Sequence, residues 1–153
     1  MSYAPRDAGK EYLKNAVLTA TPEQLQLMLL DGGIRFTLKG IEALKRNDRE
    51  AAFFAFDRAQ RIALQLNDGL NREANPELAD QMAALYHFIY RRLIEANLHR
   101  DVQAAEEALR ILRHQRQTWQ LLIEKIRREL PDEAAAGSAQ APQESGEGLS
   151  VQG

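Results

Sequence analysis

Four long segments of this sequence carry apolar residues at helical spacing, and each is opened by a residue suited to capping a helix. Thr21 precedes Pro22, with Gln24 three residues after the cap, which is a capping-box signature. The helix it starts runs to about Arg46. Asn47 and Asp48 then mark a break and a new cap, and the second segment places Ala52, Phe56, Ala59, Ala63 and Leu66 on one stripe. After "NDGLNREANP", Asn75 and Pro76 open a third helix bearing Leu78, Met82, Leu85, Ile89 and Leu93, with Tyr86 and Tyr90 widening its apolar face. Asp101 caps a fourth, whose seam is Val102, Ala105, Leu109, Leu112, Trp119, Leu122 or Ile123, and Ile126. Arg116 interrupts that seam, and Pro131 ends the helix. Amphipathic helices joined by connections too short to cross a molecule make an antiparallel up-and-down bundle. The expectation is therefore an all-α fold: a four-helix bundle over residues 21–130, and a short N-terminal helical cap within residues 1–20, around positions 5 to 17.

Residues 131–153 read differently. They mix Ala, Gly, Ser, Pro, Gln and Glu with almost nothing large and apolar, which predicts a disordered tail. The chain as a whole has 153 residues, 44% of them apolar and 27% charged, with no cysteine. Disulfides, thiolate metal sites and cysteine nucleophiles are thereby excluded. No apolar run approaches the roughly 20 residues that span a bilayer, and the first residues lack the apolar core of a secretory signal, so the expected location is the cytoplasm, without membrane insertion. Formal net charge is −2; setting aside Asp132, Glu133, Glu144 and Glu147, which lie in the tail, leaves +2 for residues 1–130. A body so close to neutral has little long-range field for nucleic acid, and the arginines at 110, 113, 116, 127 and 128 are interleaved with glutamates as on a solvated helix face.

Catalytic and metal chemistry find no constellation. Bundle di-metal sites need paired Glu-x-x-His motifs, and none occurs; Glu95 and His99 are spaced one residue too far. His87, His99 and His114 read as surface or helix-end histidines, although His87 has Arg91 one turn further on. The reading is a binding protein rather than an enzyme, without cofactor or metal.

The informative feature is surplus apolar surface on the first long helix. Leu25, Leu29, Gly32, Phe36, Gly40 and Ala43 line one face, and Leu27, Leu30, Ile34, Leu38 and Ile41 a neighbouring one. One bundle seam does not need two such faces, so the second must meet another segment, a second subunit or a client. Each interior glycine costs about 0.8 to 1 kcal/mol relative to alanine, so Gly32 and Gly33 require a reason. Two readings stay open: a shallow groove in which another backbone lies, or close packing of helices inside the bundle.

Three blocks, "VLTATPEQLQLMLLDGGIRF", "LYHFIYRRLIEANLHRDV" and "LRHQRQTW", resemble in order and spacing the flagellar secretion chaperone family FliS, from Tyr12 to about Leu130. The resemblance implies an export chaperone that binds the disordered C-terminal segment of flagellin in an apolar groove and prevents its polymerisation before secretion. It implies links to the export gate and, in some members, to the anti-sigma factor, and a monomer or weak homodimer. It suggests client-binding roles for Tyr12, Leu25, Leu29, Leu30, Asp31, Gly32, Gly33, Tyr86, Tyr90 and Asn97. Tyr12 matches a tyrosine in a segment that can cover the groove, or that staples the terminus to the bundle. Asn97 matches a motif residue at a helix end, suited to capping a free carbonyl, and Trp119 a core tryptophan. Leu30 stands where the family commonly has tyrosine, and Gly33 where a larger residue is usual. The other class of reading is a homodimeric bundle acting as scaffold or adaptor.

Overall fold

A computed structural model describes residues 3–129, and the expected tail at 131–153 lies outside them. Five helices and no strand occur among the described residues: α1 (Tyr3–Thr19), α2 (Pro22–Lys45), α3 (Arg49–Asp68), α4 (Pro76–His99) and α5 (Val102–Glu129). The caps read from sequence are made. Thr21 Oγ1 accepts from Gln24 N at 3.1 Å while Gln24 Oε1 accepts from Thr21 N at 3.0 Å, the two reciprocal bonds of a capping box. Asp48, Asn75 and Asp101 each accept from the backbone N–H three residues on, at Ala51, Leu78 and Ala104. Chain reversal after α2 uses Asn47 at φ 62°, a conformation asparagine tolerates, whereas α4 ends on Arg100 at φ 52°, one an arginine rarely adopts.

The chain divides into two units at Gln120, and the bundle belongs to the first. Within it, α2 and α3 run antiparallel: Gly32 faces Ile62, Gly40 faces Phe56, and Gln26 faces Gly69. α4 returns beside α3, where Asn97 Nδ2 donates to Gln60 Oε1 at 3.1 Å, and α5 closes the ring, with Arg92 Nε 2.9 Å from Glu107 Oε1 and Arg116 Nε on Asp31 Oδ1. The core is built from Leu30, Phe56, Leu66, Tyr86, Ile89, Leu93 and Leu112, filled out by Ala43, Ala52, Ala59, Ala63, Ala96, Ala104, Ala105 and Ala108. So many alanines let the backbones approach closely, and the few large side chains fill what remains.

Three sequence expectations need correction. α1 covers the stretch expected at 5 to 17 with two residues more at each end, but its apolar side chains Tyr12, Leu13, Val17 and Leu18 are exposed, so Tyr12 at 76% exposure is no staple. On α2 the buried line runs through Gln26, Leu30, Gly33, Thr37 and Ile41, between the two faces read from sequence, so that Leu25, Leu29 and Phe36 on one flank and Leu27 and Ile34 on the other are left half-buried. On α5, buried positions extend from Ala104 to Gln115 with Trp119 half-buried; of the residues expected to prolong the seam, Leu122 and Ile126 are exposed and the alternative Ile123 is half-buried.

Candidate partner-binding surface

Exposed apolar side chains gather on two elements of the bundle unit. On α1, Tyr12, Leu13, Val17 and Leu18 recur at steps of one, four and one, which makes one stripe of a helix. On α3, Phe53 and Phe54 lie outside the buried stripe of Ala52 and Phe56, more than half exposed, with their rings edge to face at 5.9 Å and 71°. These two phenylalanines border different clefts. Phe54 lines one between α2 and α3 together with Phe36, Lys39, Arg58 and Ala55. Phe53 lines another with Leu44, Phe56, Ala96, Asn97 and Arg100, where α3 meets α4. A third cleft, at the opposite end of the α2–α3 hairpin, is walled by Gln26, Leu70, Leu78, Met82 and Trp119.

The residues singled out from sequence separate into two groups. Tyr12, Leu25, Leu29, Asp31, Tyr90 and Asn97 retain some exposure. Asp31 is engaged by Arg116, which explains why an arginine interrupts the α5 seam: its guanidinium reaches across to α2 and also donates to Gln120 Oε1 at 2.6 Å. Asn97 bonds the Gln60 side chain, not a helix-end carbonyl, and lines the Phe53 cleft. Leu30 and Tyr86, in contrast, are wholly buried members of the core.

Gly32 and Gly33 are also buried, which corrects the reading of an open groove there. A Cβ on Gly32 would meet Ile62 Cδ1 at 3.2 Å, and one on Gly33 would meet Ile62 Cγ2 at 3.4 Å and Leu112 Cδ2 at 3.5 Å. The glycines admit side chains of α3 and α5 to the α2 backbone, so helix packing accounts for them.

Phe53, Phe54 and the cations around Phe36 were not among the residues picked from sequence. The signal was present at Phe53 and Phe54: two large apolar residues fall off the stripe that fills the core, and such residues either waste surface or serve a partner. The core itself holds an electrostatic peculiarity. Tyr86 Oη and Trp119 Nε1 are both buried without a regular hydrogen bond. Burial pushes the Tyr86 hydroxyl above its ordinary value of 10.0, and the Trp119 indole N–H, close enough to favour the phenolate, offsets part of that rise. Among the described residues no helix is long and apolar enough to cross a membrane.

The chain matches the family described as flagellar protein FliS over residues 5–126. It is 36% identical to the flagellar secretion chaperone FliS of Bacillus subtilis over 118 residues, 77% of this chain and 87% of the relative. It is 33% identical to the Salmonella typhimurium protein of the same name over 114 residues (74% and 84%), and 31% identical to that of Escherichia coli over 108 residues (70% and 79%). The chain belongs to the FliS family of flagellar secretion chaperones, a family of chaperones rather than enzymes.

Proposed function

We propose that this chain is a cytoplasmic flagellar export chaperone whose client is the C-terminal segment of flagellin, held on the bundle surface so that it cannot polymerise before secretion. The observation that carries the reading is the apolar side chains left uncovered on α1 and α3, Tyr12, Leu13, Val17, Leu18, Phe53 and Phe54, beside a core already filled by other residues. An unstructured client loses conformational entropy on binding, and that loss is offset by apolar area gathered along an extended path rather than in one deep pocket. Tyr12, Leu25, Leu29, Asp31, Tyr90 and Asn97 supply further contacts along that path; Leu30, Gly32, Gly33 and Tyr86 act only by shaping the helices beneath it. The loaded chaperone then passes its client to the export gate, and the anti-sigma factor is a further partner in this reading.

Calorimetric titration of the chain with a flagellin C-terminal fragment tests this directly, with heat release and one-to-one stoichiometry expected. The exposed α1 stripe also suits a second copy of the chain, which keeps a homodimeric scaffold as the competing reading. Light scattering separates the two. A dimer that persists unchanged after the flagellin fragment is added would reject the chaperone assignment.

A further inference from the structure

Phe36, half-buried on α2, is surrounded by three cations: Arg35 Cζ lies 5.2 Å, Lys39 Nζ 5.6 Å and Arg58 Cζ 5.3 Å from the ring centroid. Arg35 and Lys39 are neighbours on the same helix, and Arg58 comes across from α3. None of the three is in an ion pair among the described residues. The ring attracts each cation only weakly at an exposed site, while the three like charges repel one another. An incoming carboxylate would convert that repulsion into attraction.

The ring borders the α2–α3 cleft, which encloses about 580 Å³. That volume is in the range of pockets that hold side chains or small ligands. Its apolar lining comes from Phe36, Phe54, Ala51 and Ala55; its charged lining is Lys39, Arg46 and Arg58 against a single acid, Glu42. Arg46 lies 3.9 Å from Asp48, whereas Glu42 forms no ion pair among the described residues. Apolar walls with a cationic rim suit a peptide that carries carboxylates beside an apolar side chain, and suit a polyphosphate less well.

We infer that this cleft reads the charge of the client: it takes an acidic stretch of the bound segment, with one apolar side chain against Phe54, Ala51 and Ala55 and flanking Asp or Glu carboxylates on Lys39 and Arg58. The inference rests on the flagellin reading above. It adds that recognition has a salt-sensitive component located at one end of the apolar surface.

The test is titration of the full chain, and of a Lys39→Gln/Arg58→Gln double variant, with a flagellin C-terminal fragment at 50 and 300 mM NaCl. Both side chains are exposed, so circular dichroism melts of the variant should match those of the parent. The variant should bind about tenfold more weakly at the lower salt, as expected for lost charged hydrogen bonds, and its affinity should depend less on salt. Arg58→Lys, which keeps the charge, should retain most of the affinity. Equal affinity and equal salt dependence in parent and double variant would overturn the cleft's role while leaving the client in place. An absence of heat with the parent chain would overturn both.

Discussion

A Cβ placed on Gly40 would stand 2.5 Å from Cε1 of Phe56, and the ring that blocks it is a wholly buried part of the core. The three glycines in the interior of α2 therefore differ in what they tolerate. At Gly40, replacing glycine by alanine gains about 1 kcal/mol in helix propensity but forces the ring or backbone to move, at about 1–3 kcal/mol. Gly40→Ala should destabilise the chain by up to about 2 kcal/mol. At Gly33 the same Cβ meets only ordinary contacts of 3.4 to 3.6 Å, so the propensity term wins and Gly33→Ala should stabilise by up to about 1 kcal/mol. Gly32→Ala meets the flexible tip of Ile62 at 3.2 Å and should be near neutral. Urea unfolding of the three variants checks the order.

Tyr86 gives a pH dependence with a definite sign. Its hydroxyl is buried without a regular partner and titrates above its ordinary value of 10.0, so the folded chain keeps a proton that the unfolded chain gives up. The stability tied to that proton is fully present below pH 10 and is lost as pH rises towards the folded value, by up to about 1.4 kcal/mol per pH unit. Tyr86→Phe should remove this slope. At neutral pH its effect on stability should be small, because removing the hydroxyl also takes away the polar group beside the buried Trp119 N–H. Unfolding titrations of parent and variant at pH 8 and pH 10.5 measure both effects.

The Asp31–Arg116 pair ties α2 to α5 across the ring, yet both side chains are more than a third exposed, and water screens them. A double-mutant cycle with Asp31→Asn and Arg116→Gln should give a coupling of about 0.5–1 kcal/mol at low salt. In 0.5 M NaCl most of it should disappear. A coupling that persists at high salt would mean that the pair is shielded from solvent.

How far the sequence could be read depends on whether a signal was local. The caps at Thr21, Asp48, Asn75 and Asp101 were legible because each needs only its own side chain and an N–H three residues on. The buried line of α2 was displaced in the reading because Gln26, Gly33 and Thr37 occupy it, and polar or side-chain-free positions do not register as apolar periodicity. Leu122 and Ile126 continue the helical pattern of α5 and are nevertheless exposed, since periodicity reports an apolar face and says nothing of whether anything covers it. Tyr86, read as part of a widened apolar face and by resemblance as a client contact, lies wholly in the core, because an aromatic on such a face can point either way until the neighbouring helix is in place.

Phe53 and Phe54 offer the cleanest separation of folding from function. Both rings are more than half exposed, so their replacement by serine removes little native burial. The Phe53→Ser/Phe54→Ser variant should melt close to the parent, within about 0.5 kcal/mol per site, as surface substitutions do. If the client covers these rings, each contributes about 1.5–3 kcal/mol of apolar burial to the complex, and affinity for a flagellin C-terminal fragment should fall by at least about tenfold. Leu64→Ser supplies the control, because Leu64 is another exposed apolar residue of α3, at 39%, that belongs to none of the three clefts. Loss of affinity in the double variant together with parental affinity in the control locates the client on the phenylalanine end of α3. Equal losses in both would mean that binding responds to apolar surface in general, and the Phe53–Phe54 pair would then have no special part in it.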